Sequence, residues 1–199
     1  MNCKDNSYWM EAIKQDLLDS AEIKRLIAET NTDNILSSAF LIVECLGSGG
    51  KLILFGNGGS AADAQHLAAE FVGRFKLERN ALPAIALNTN VSVLTALGND
   101  YGFDEIFARQ IDAWAKPGDV AIGISTSGES ENILRGIKRA NNMNVKTIGL
   151  TGKGGGRLAK MVDIAIIVPS FDTPRIQEGH IAIGHTICNI VENMLFDGK

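Results

Sequence analysis

The sequence has few cysteines and no long uncharged hydrophobic run. Its three cysteines, Cys3, Cys45 and Cys188, lie far apart without a CxxC spacing, which favours a reducing compartment such as the cytoplasm over a disulfide framework. The N-terminal sequence MNCKDNSYWM lacks the apolar core of a signal peptide, and the chain nowhere reaches the run of about 18 uncharged apolar residues that a membrane helix needs. We therefore expect neither export by that route nor a membrane span.

Positive charge is also scarce. The formal net charge is −4 and the pI about 5.4, and the basic residues are scattered rather than clustered, so nucleic acid is not expected as a ligand. What is abundant is hydrophobic sequence, at 45% of the 199 residues, with 21 glycines and only 4 prolines. This composition is typical of a folded α/β protein, and the length predicts a single domain over residues 1–199.

Two helices are predicted before the first strand. From Tyr8 to Glu29 the apolar residues recur mostly three to five positions apart with charges between them, as an amphipathic helix requires. A second helix is predicted from Thr32 or Asp33, either of which could cap it, to the glycines that begin at Gly47. These helices, within residues 1–50, are expected to cover the sheet or to pack against other subunits.

Beyond Lys51, short apolar runs alternate with helical patterns. Continuous apolar runs are typical of parallel strands buried on both faces; they span Leu52–Phe55, Ala84–Leu87, Val120–Ile124, Thr147–Leu150 and Asp163–Val168. Helical patterns span Ala61–Phe75, Asp104–Trp114, Glu131–Asn141 and Arg175–Phe196. Alternation of strand and helix predicts an α/β core over 51–199, with a parallel sheet between two layers of helices.

Two loops after predicted strands are suited to a phosphorylated ligand. Gly56-Asn57-Gly58-Gly59-Ser60 opens a helix, where free N–H groups and the helix dipole favour an anion, and Ser60 can cap that helix. An ordinary tight turn explains this loop equally well. It matches neither the GxGxxG nor the GxxxxGK[ST] pattern, so a nucleotide is not indicated.

The second loop, Ser125-Thr126-Ser127-Gly128-Glu129-Ser130, carries four hydroxyl groups at the crevice end of a predicted strand. Turn chemistry alone does not require so many, and hydroxyls hold phosphate by hydrogen bonds without adding charge, so a phosphosugar can be bound and released. A third loop, Gly152-Lys153-Gly154-Gly155-Gly156, ranks lower as an anion site because glycine-rich connections are common.

Two helices carry side chains that could hold a metal. His66 and Glu70 are four residues apart, which places both on one face of a helix. Gln177 and His185 are eight apart on the last predicted helix, also roughly on one face. Each residue alone is better explained as an ordinary helix residue, but the chain has only three histidines, and two of them at such spacings favour a site.

Together these motifs resemble the phosphoheptose isomerases, members of the sugar isomerase (SIS) fold. The resemblance rests on the loop that begins Gly56-Asn57-Gly58-Gly59-Ser60 and its continuation to His66, and on further matching positions from about Leu52 to the C-terminus; these are Glu70, Gly73-Arg74, Gly98-Asn99-Asp100, Ser125-Thr126-Ser127-Gly128 and Arg175-Ile176-Gln177-Glu178. The combination is specific, although no single motif is.

The resemblance implies a three-layer α/β/α sandwich with a five-stranded, flavodoxin-like parallel sheet. It also implies a homotetramer with active sites at subunit contacts, and one zinc ion per subunit held at His66, Glu70, Gln177 and His185. Substrate contacts implied by the family are Asn57, Gly58, Gly59, Ser60, Glu70, Arg74, Asn99, Asp100, Ser125, Thr126, Ser127, Ser130 and Gln177.

The implied reaction converts sedoheptulose 7-phosphate to D-glycero-D-manno-heptose 7-phosphate for bacterial surface glycans such as lipopolysaccharide or capsule. Moving a carbonyl between adjacent carbons needs a base and an acid, for which Glu70 and His185 are the candidates. A carboxylate bound to zinc is a weaker base, and glutamine is an unusual zinc ligand. Metal ligation and proton transfer are therefore expected to be shared or alternating roles.

Two alternatives remain at this stage. A non-catalytic SIS-fold protein of the replication-initiator-associating type shares the glycine loop, but such proteins tend to lack the acid at the position of Glu70. An isomerase of a shorter sugar phosphate, such as arabinose 5-phosphate, usually has an appended regulatory domain, for which 199 residues leave no room.

Overall fold

The computed structural model describes residues 5–196, so Cys3 lies outside the described part. These residues form one five-stranded sheet with helices on both faces. The strands are β1 (Leu52–Gly56), β2 (Ala84–Ala86), β3 (Val120–Ser125), β4 (Lys146–Thr151) and β5 (Ile164–Ile167). The helices are α1 (Asn6–Thr30), α2 (Thr32–Gly47), α3 (Gly59–Val72), α4 (Val91–Tyr101), α5 (Ile106–Trp114), α6 (Glu131–Asn142) and α7 (Thr173–Phe196).

All strand pairs are parallel, in the order β2-β1-β3-β4-β5. The chain leaves β1 toward one edge to form β2 and then returns past β1 to form β3. In open sheets of this order, a crevice forms at the carboxyl ends of the two strands where the direction reverses. Here that position lies between the ends of β1 and β3, at Gly56 and Ser125.

The two faces of the sheet carry separate cores because successive side chains of a strand point to opposite faces. From β1, Leu52 and Leu54 pack in the core beneath α1, α2, α3 and α7. Ile53 and Phe55 pack in the core beneath α5 and α6, where the Phe55 ring lies 5.1 Å from that of Phe107. The predicted three-layer α/β/α architecture is therefore confirmed.

The predicted strands and helices are confirmed to within a few residues, but α4 was not predicted from the sequence. Val91, Leu94 and Leu97 recur at helical spacing, and Leu94 and Leu97 pack against the core although no residue of α4 is fully buried. Its start is also marked by Asn90, whose side chain accepts a hydrogen bond from the Val93 N–H at 3.1 Å. This helix carries Asn99 and Asp100.

The start of α2 differs from the prediction that Thr32 or Asp33 caps it. The residue before the helix is Asn31, whose side chain makes no cap hydrogen bond. Its amide instead donates to the Ile167 carbonyl and accepts from the Ile167 N–H, at 3.1 and 3.2 Å. Asn31 thus satisfies the exposed edge of β5 and fastens the N-terminal helices to the sheet.

Candidate active site

The first predicted loop connects β1 to α3 at the crevice. Gly58 precedes α3 with φ of +56°, a conformation that side chains rarely adopt. No side chain caps α3; the N–H groups of Ser60 and Ala61 donate instead to the carbonyls of Asn57 and Gly58, both at 3.0 Å, so these two are not the free anion donors that the sequence suggested. The expectation that Ser60 caps this helix is wrong, because Ser60 is already inside its first turn and only 3% exposed.

The loop is held to the neighbouring strand connection by a pair of amides. Asn57 donates to Asn132 at 2.8 Å, and Asn132 donates back to Asn57 at 2.9 Å. Asn132 is 2% exposed and lies in the first turn of α6. Asn132 was not predicted as a site residue, and its only signal in the sequence is an amide just after the serine-rich loop.

The serine-rich loop follows β3 as predicted. The hydroxyls of Ser125 and Ser130 lie 3.1 Å apart. Ser127 Oγ accepts from the Glu129 N–H at 3.1 Å, and Ser125 Oγ accepts from the Gly128 N–H at 3.2 Å. Ser130 precedes α6 without capping it. The Ile133 N–H donates to the Asn132 side chain at 2.9 Å, whereas within the described residues the N–H groups of Glu131 and Asn132 have no protein acceptor.

The third loop supports the serine-rich loop, whereas the sequence suggested a lesser anion site. A Cβ atom on Gly156 would lie 2.6 Å from the Ser127 carbonyl oxygen, and one on Gly128 would lie 2.2 Å from the Gly155 carbonyl oxygen. The Glu129 carboxylate accepts from both the backbone N–H and the guanidinium of Arg157, at 2.8 and 2.7 Å. The glycines therefore allow two loops to pack backbone against backbone.

Three of the four predicted metal ligands meet between α3 and α7. The Nε2 atoms of His66 and His185 lie 2.8 Å apart, and Glu70 Oε1 lies 3.2 Å from His66 Nε2. One nitrogen or oxygen from each of these residues falls within 4.8 Å of the others. We call this cluster the His66-Glu70-His185 centre.

A close approach of the two helices creates the centre. A Cβ atom on Gly184 would lie 2.5 Å from Leu67 Cδ2, so Leu67 of α3 packs where α7 has no side chain. The residues next in sequence, His66 and His185, are consequently brought face to face. The ring of Phe75, just beyond α3, lies 5.5 Å from the His185 ring.

The donor set of the centre fits zinc. Two imidazole nitrogens and one carboxylate oxygen are ligands that zinc prefers, and a site with three protein ligands keeps a position open for substrate. Gln177, the fourth predicted ligand, packs over the glycine loop, where a Cβ atom on Gly59 would lie 2.4 Å from its Nε2. Its amide thus lies at the start of the helix that carries His66 and Glu70.

Asp63 lies one turn before His66 on α3. Burial raises the pKa of its carboxyl to about 6, while the nearby His66 acts in the opposite direction. Its Oδ2 is buried without a hydrogen-bond partner. Asp63 was not among the residues predicted for the site.

Three predicted substrate contacts, Arg74, Asn99 and Asp100, are exposed in the single chain. Arg74 lies just past α3 with 57% of its side chain exposed, 3.5 Å from Glu78. Asn99 and Asp100 are exposed in the last turn of α4 and bonded to each other at 2.9 Å. Within residues 5–196, no hydrogen bond or ion pair joins any of the three to the His66-Glu70-His185 centre or to the serine-rich loop.

Comparisons with known proteins agree with the geometry. The SIS domain family model matches residues 18–152. The phosphoheptose isomerase of Aquifex aeolicus is 54% identical over 186 residues, which cover 94% of this chain and 97% of that protein. Two solved phosphoheptose isomerases are each 40% identical: that of Neisseria gonorrhoeae (TM-score 0.88, covering 93% of this chain and 99% of that one) and that of Francisella tularensis (TM-score 0.89, covering 92% and 98%).

Proposed function

Because this chain belongs to the SIS domain family and, within it, to the phosphoheptose isomerases, we propose that it converts sedoheptulose 7-phosphate to D-glycero-D-manno-heptose 7-phosphate. The observation that carries the proposal is the meeting of Glu70 with His185. A carboxylate and an imidazole from two different helices face one space, and that space adjoins loops suited to a phosphorylated sugar.

The reaction needs two proton transfers at adjacent carbons. Glu70 removes the proton from C1 of the ketose, while His185 donates a proton to the C2 carbonyl oxygen, which gives the enediol. His185 then takes the proton of the C1 hydroxyl while Glu70 returns its proton to C2, which yields the aldehyde and restores both residues to their starting state. Since Glu70 and His185 approach from separate helices, each can reach a different atom of the sugar.

Zinc is the proposed cofactor, one per subunit, held by His66, Glu70 and His185, with Gln177 as a fourth ligand. When bound, zinc would polarise the sugar oxygens and stabilise negative charge that develops during proton transfer. Gln177 lies against Gly59, so it also suits a contact to the sugar hydroxyls.

We place the phosphate in the serine-rich loop, at Ser125, Thr126, Ser127 and Ser130. Hydroxyl donors and the free N–H groups at the start of α6 suit an anion without a buried cation. The sugar chain then extends toward the glycine loop, where Asn57, Gly58, Gly59 and Ser60 border the crevice.

We further propose a homotetramer in which Arg74, Asn99 and Asp100 complete the site across a subunit contact. Support comes from α1. The N-terminal half of this helix carries apolar side chains that are more than half exposed in the single chain, among them Met10, Ile13, Leu17 and Leu18. Patches of this kind mark interaction surfaces. A subunit contact also accounts for an exposed α4.

A cytoplasmic location and a role in heptose nucleotide supply for lipopolysaccharide or capsule complete the proposal. No helix within residues 5–196 has the length and apolar character to cross a membrane. Cys45 and Cys188 are free, buried thiols. The part of the chain that the structure describes thus offers no feature that requires an oxidising compartment.

The direct test measures isomerisation of sedoheptulose 7-phosphate by purified protein with zinc present. Glu70→Gln keeps the shape of the side chain but removes the base, so we expect kcat to fall by about 10²- to 10⁴-fold. Absence of turnover by the wild-type protein contradicts the proposal.

The zinc assignment has a separate test. Elemental analysis of protein purified without chelator should give close to one zinc per chain. A content below about a tenth of a zinc per chain would argue against this cofactor, because sites of this kind bind tightly. His66→Gln serves as the control for zinc bound elsewhere.

A further inference from the structure

A buried ion pair joins α7 to the segment that follows α3. Glu192 lies on α7 and Arg79 in the loop between α3 and β2, with Nε of Arg79 3.0 Å from Oε1 of Glu192. Only 2% of the arginine side chain and 3% of the glutamate side chain are exposed. The catalytic scheme above uses neither residue.

The Glu192 carboxylate is fully occupied by donors. Besides Arg79, it accepts from the backbone N–H groups of Phe75, Lys76 and Leu77 at 3.0, 2.7 and 2.9 Å. Burial opposes ionisation of Glu192, but these N–H groups and Arg79 outweigh it, and the pKa of the carboxyl lies below its ordinary value. Glu192 is therefore a charged anchor for the start of the loop.

Arg79 in turn holds the end of α3. Its guanidinium donates to the carbonyls of Glu70 and Phe71, both at 2.7 Å, and to that of Gly73 at 3.1 Å. The last carbonyls of a helix have no partner within the helix and carry its negative dipole end, so a cation stabilises them. A lysine offers a point charge, whereas the planar arginine fork reaches several carbonyls at once.

The pair therefore links the ends of the two helices that form the His66-Glu70-His185 centre. Arg79 bonds to the backbone of Glu70 itself. Glu192 lies seven residues, or two turns, beyond His185 on the same face of α7. It also bonds to the N–H of Phe75, whose ring contacts His185.

A buried ion pair is weak evidence for stability, because replacing such a pair by apolar side chains of similar size often leaves a fold equally stable or more stable. Apolar residues, however, cannot bond to the carbonyls of α3 and the amides of the loop. We propose that Arg79 and Glu192 are positioning residues of the isomerase site, which fix the separation of Glu70 and His185 by locking α3 to α7. The inference rests on the function proposed above.

The experiment compares Glu192→Gln and Arg79→Lys with Asp119→Asn. Glu192→Gln keeps volume but loses charge, and Arg79→Lys keeps charge but loses the fork, so the second variant serves if the first does not fold. Asp119 is a matched control, because it is 4% exposed, accepts from the backbone N–H groups of Lys51 and Lys116, and pairs with Lys51. Asp119 directly precedes β3, so it lies at the amino ends of the strands, whereas the crevice lies at their carboxyl ends.

We expect both test variants to lower kcat and zinc affinity by about 10- to 100-fold, as supporting residues of metal sites do. The KM for the sugar phosphate should change little, because the serine-rich loop is untouched. Asp119→Asn should lower Tm but leave kcat and zinc affinity unchanged. Zinc affinity is measured by competition with a chelator.

Values of kcat and zinc affinity within about twofold of wild type in both test variants would overturn the positioning role. So would an equal loss in Asp119→Asn at a similar fall in Tm. A wild-type protein that binds zinc but does not turn over the substrate refutes the proposed function alone, and zinc affinity then still decides the role of Arg79 and Glu192.

Discussion

Gly59 is the residue whose missing side chain leaves room for Gln177 at the start of α3. A Cβ atom there would lie 2.4 Å from Gln177 Nε2, which is the end of a flexible side chain rather than backbone. A substitution at Gly59 therefore moves Gln177 more readily than it moves the helix. This separates the role of Gln177 in the site from the stability of the fold.

We expect Gly59→Ala to lower kcat/KM by about tenfold or more, because small displacements in a site are costly. The same change should leave Tm unchanged or raise it, since alanine favours a helix over glycine by about 0.8 to 1.0 kcal/mol. Gly47→Ala is the control, at a helical glycine with no atom within 4 Å of the added Cβ. Steady-state kinetics and thermal unfolding measure both effects, and full activity of Gly59→Ala would contradict a role for Gln177.

His180 is a buried titratable residue that the reaction does not use. It is fully buried on α7, and neither ring nitrogen has a hydrogen-bond partner. Burial lowers its pKa to about 4, while the Thr151 backbone acts in the other direction. The imidazole is therefore neutral in the folded protein and protonates more readily in the unfolded chain.

This difference predicts a loss of stability in acid. Between pH 6.5 and about 4, His180 binds more protons in the unfolded chain than in the folded protein. The contribution of the buried neutral imidazole to the free energy of unfolding is therefore fully present above pH 6.5 and falls by about 3 kcal/mol as the pH drops to 4. His180→Leu removes the titrating group. As the pH falls from 6.5 to 4, the free energy of unfolding of this variant should therefore rise relative to that of the wild type, as measured by urea unfolding with chelator present.

Asp63 titrates in a similar range with the opposite sign. Its folded pKa is raised to about 6, so its contribution is present at low pH and lost as pH rises toward 6. Because the wild type and His180→Leu both contain Asp63, its effect cancels in the difference between their free energies of unfolding. The pH dependence of that difference therefore reports on His180 alone. A difference that stays constant from pH 7 to 4.5 would contradict the burial of a neutral imidazole.

At the scale of elements, the loops after β3 and β4 act as one unit. The serine-rich loop places the hydroxyls, and the glycine-rich loop lies beneath it. Gly156 has φ of +58° and would place a Cβ atom 2.6 Å from the Ser127 carbonyl oxygen, whereas Gly154 has φ of +78° and no atom within 4 Å of an added Cβ. The two glycines thus share a left-handed backbone conformation, which strains any substituted residue, but they differ in what an added Cβ would contact.

Gly156→Ala should therefore displace the serine-rich loop, while Gly154→Ala should only strain its own loop. We expect Gly156→Ala to raise KM for the sugar phosphate about tenfold, equivalent to about 1.4 kcal/mol of lost phosphate binding. Inorganic phosphate should inhibit this variant less strongly, by a similar factor, because the substitution weakens binding of the phosphate group rather than of the sugar. Equal KM values for the two variants would show that the loop contact does not matter for binding.

At the scale of the whole molecule, the long helix α1 is largely exposed. Of its 25 residues only Ser20 and Ile27 are buried, although Arg175 of α7 holds it by a 2.6 Å hydrogen bond to the Asp16 carbonyl. An apolar face on a helix that is anchored yet exposed is the kind of surface that the proposed subunit contact would cover.

Ile13→Glu combined with Leu17→Glu should therefore reduce the oligomer mass in light scattering below four chains. Both side chains are more than 60% exposed in the single chain, so the monomer fold should persist. Activity should fall with the mass if Arg74, Asn99 and Asp100 act across a subunit contact. Gln15→Glu, on the opposite side of α1, controls for added charge. A monomer mass for the wild-type protein at micromolar concentration would refute the homotetramer.

The sequence by itself determined the strands, most helices, the two ligand loops and the pairing of His66 with Glu70. Each follows from local rules: buried parallel strands need continuous apolar runs, and residues four apart share one helix face. The spacing of Gln177 and His185 on the last predicted helix added a second pair, and the family motifs assigned both pairs to one zinc site. Whether Gln177 binds zinc, and whether the chain is a single domain and a tetramer, stay predictions.

Only the tertiary structure decided which distant residues meet. His66 and His185 lie 119 positions apart, and they face each other because Leu67 packs against Gly184. Arg79 and Glu192 lie 113 positions apart, and neither residue has a local pattern that marks it. The physical reason is that such contacts depend on how helices cross and how close their backbones come, which is set by packing across the whole fold rather than by neighbours in sequence.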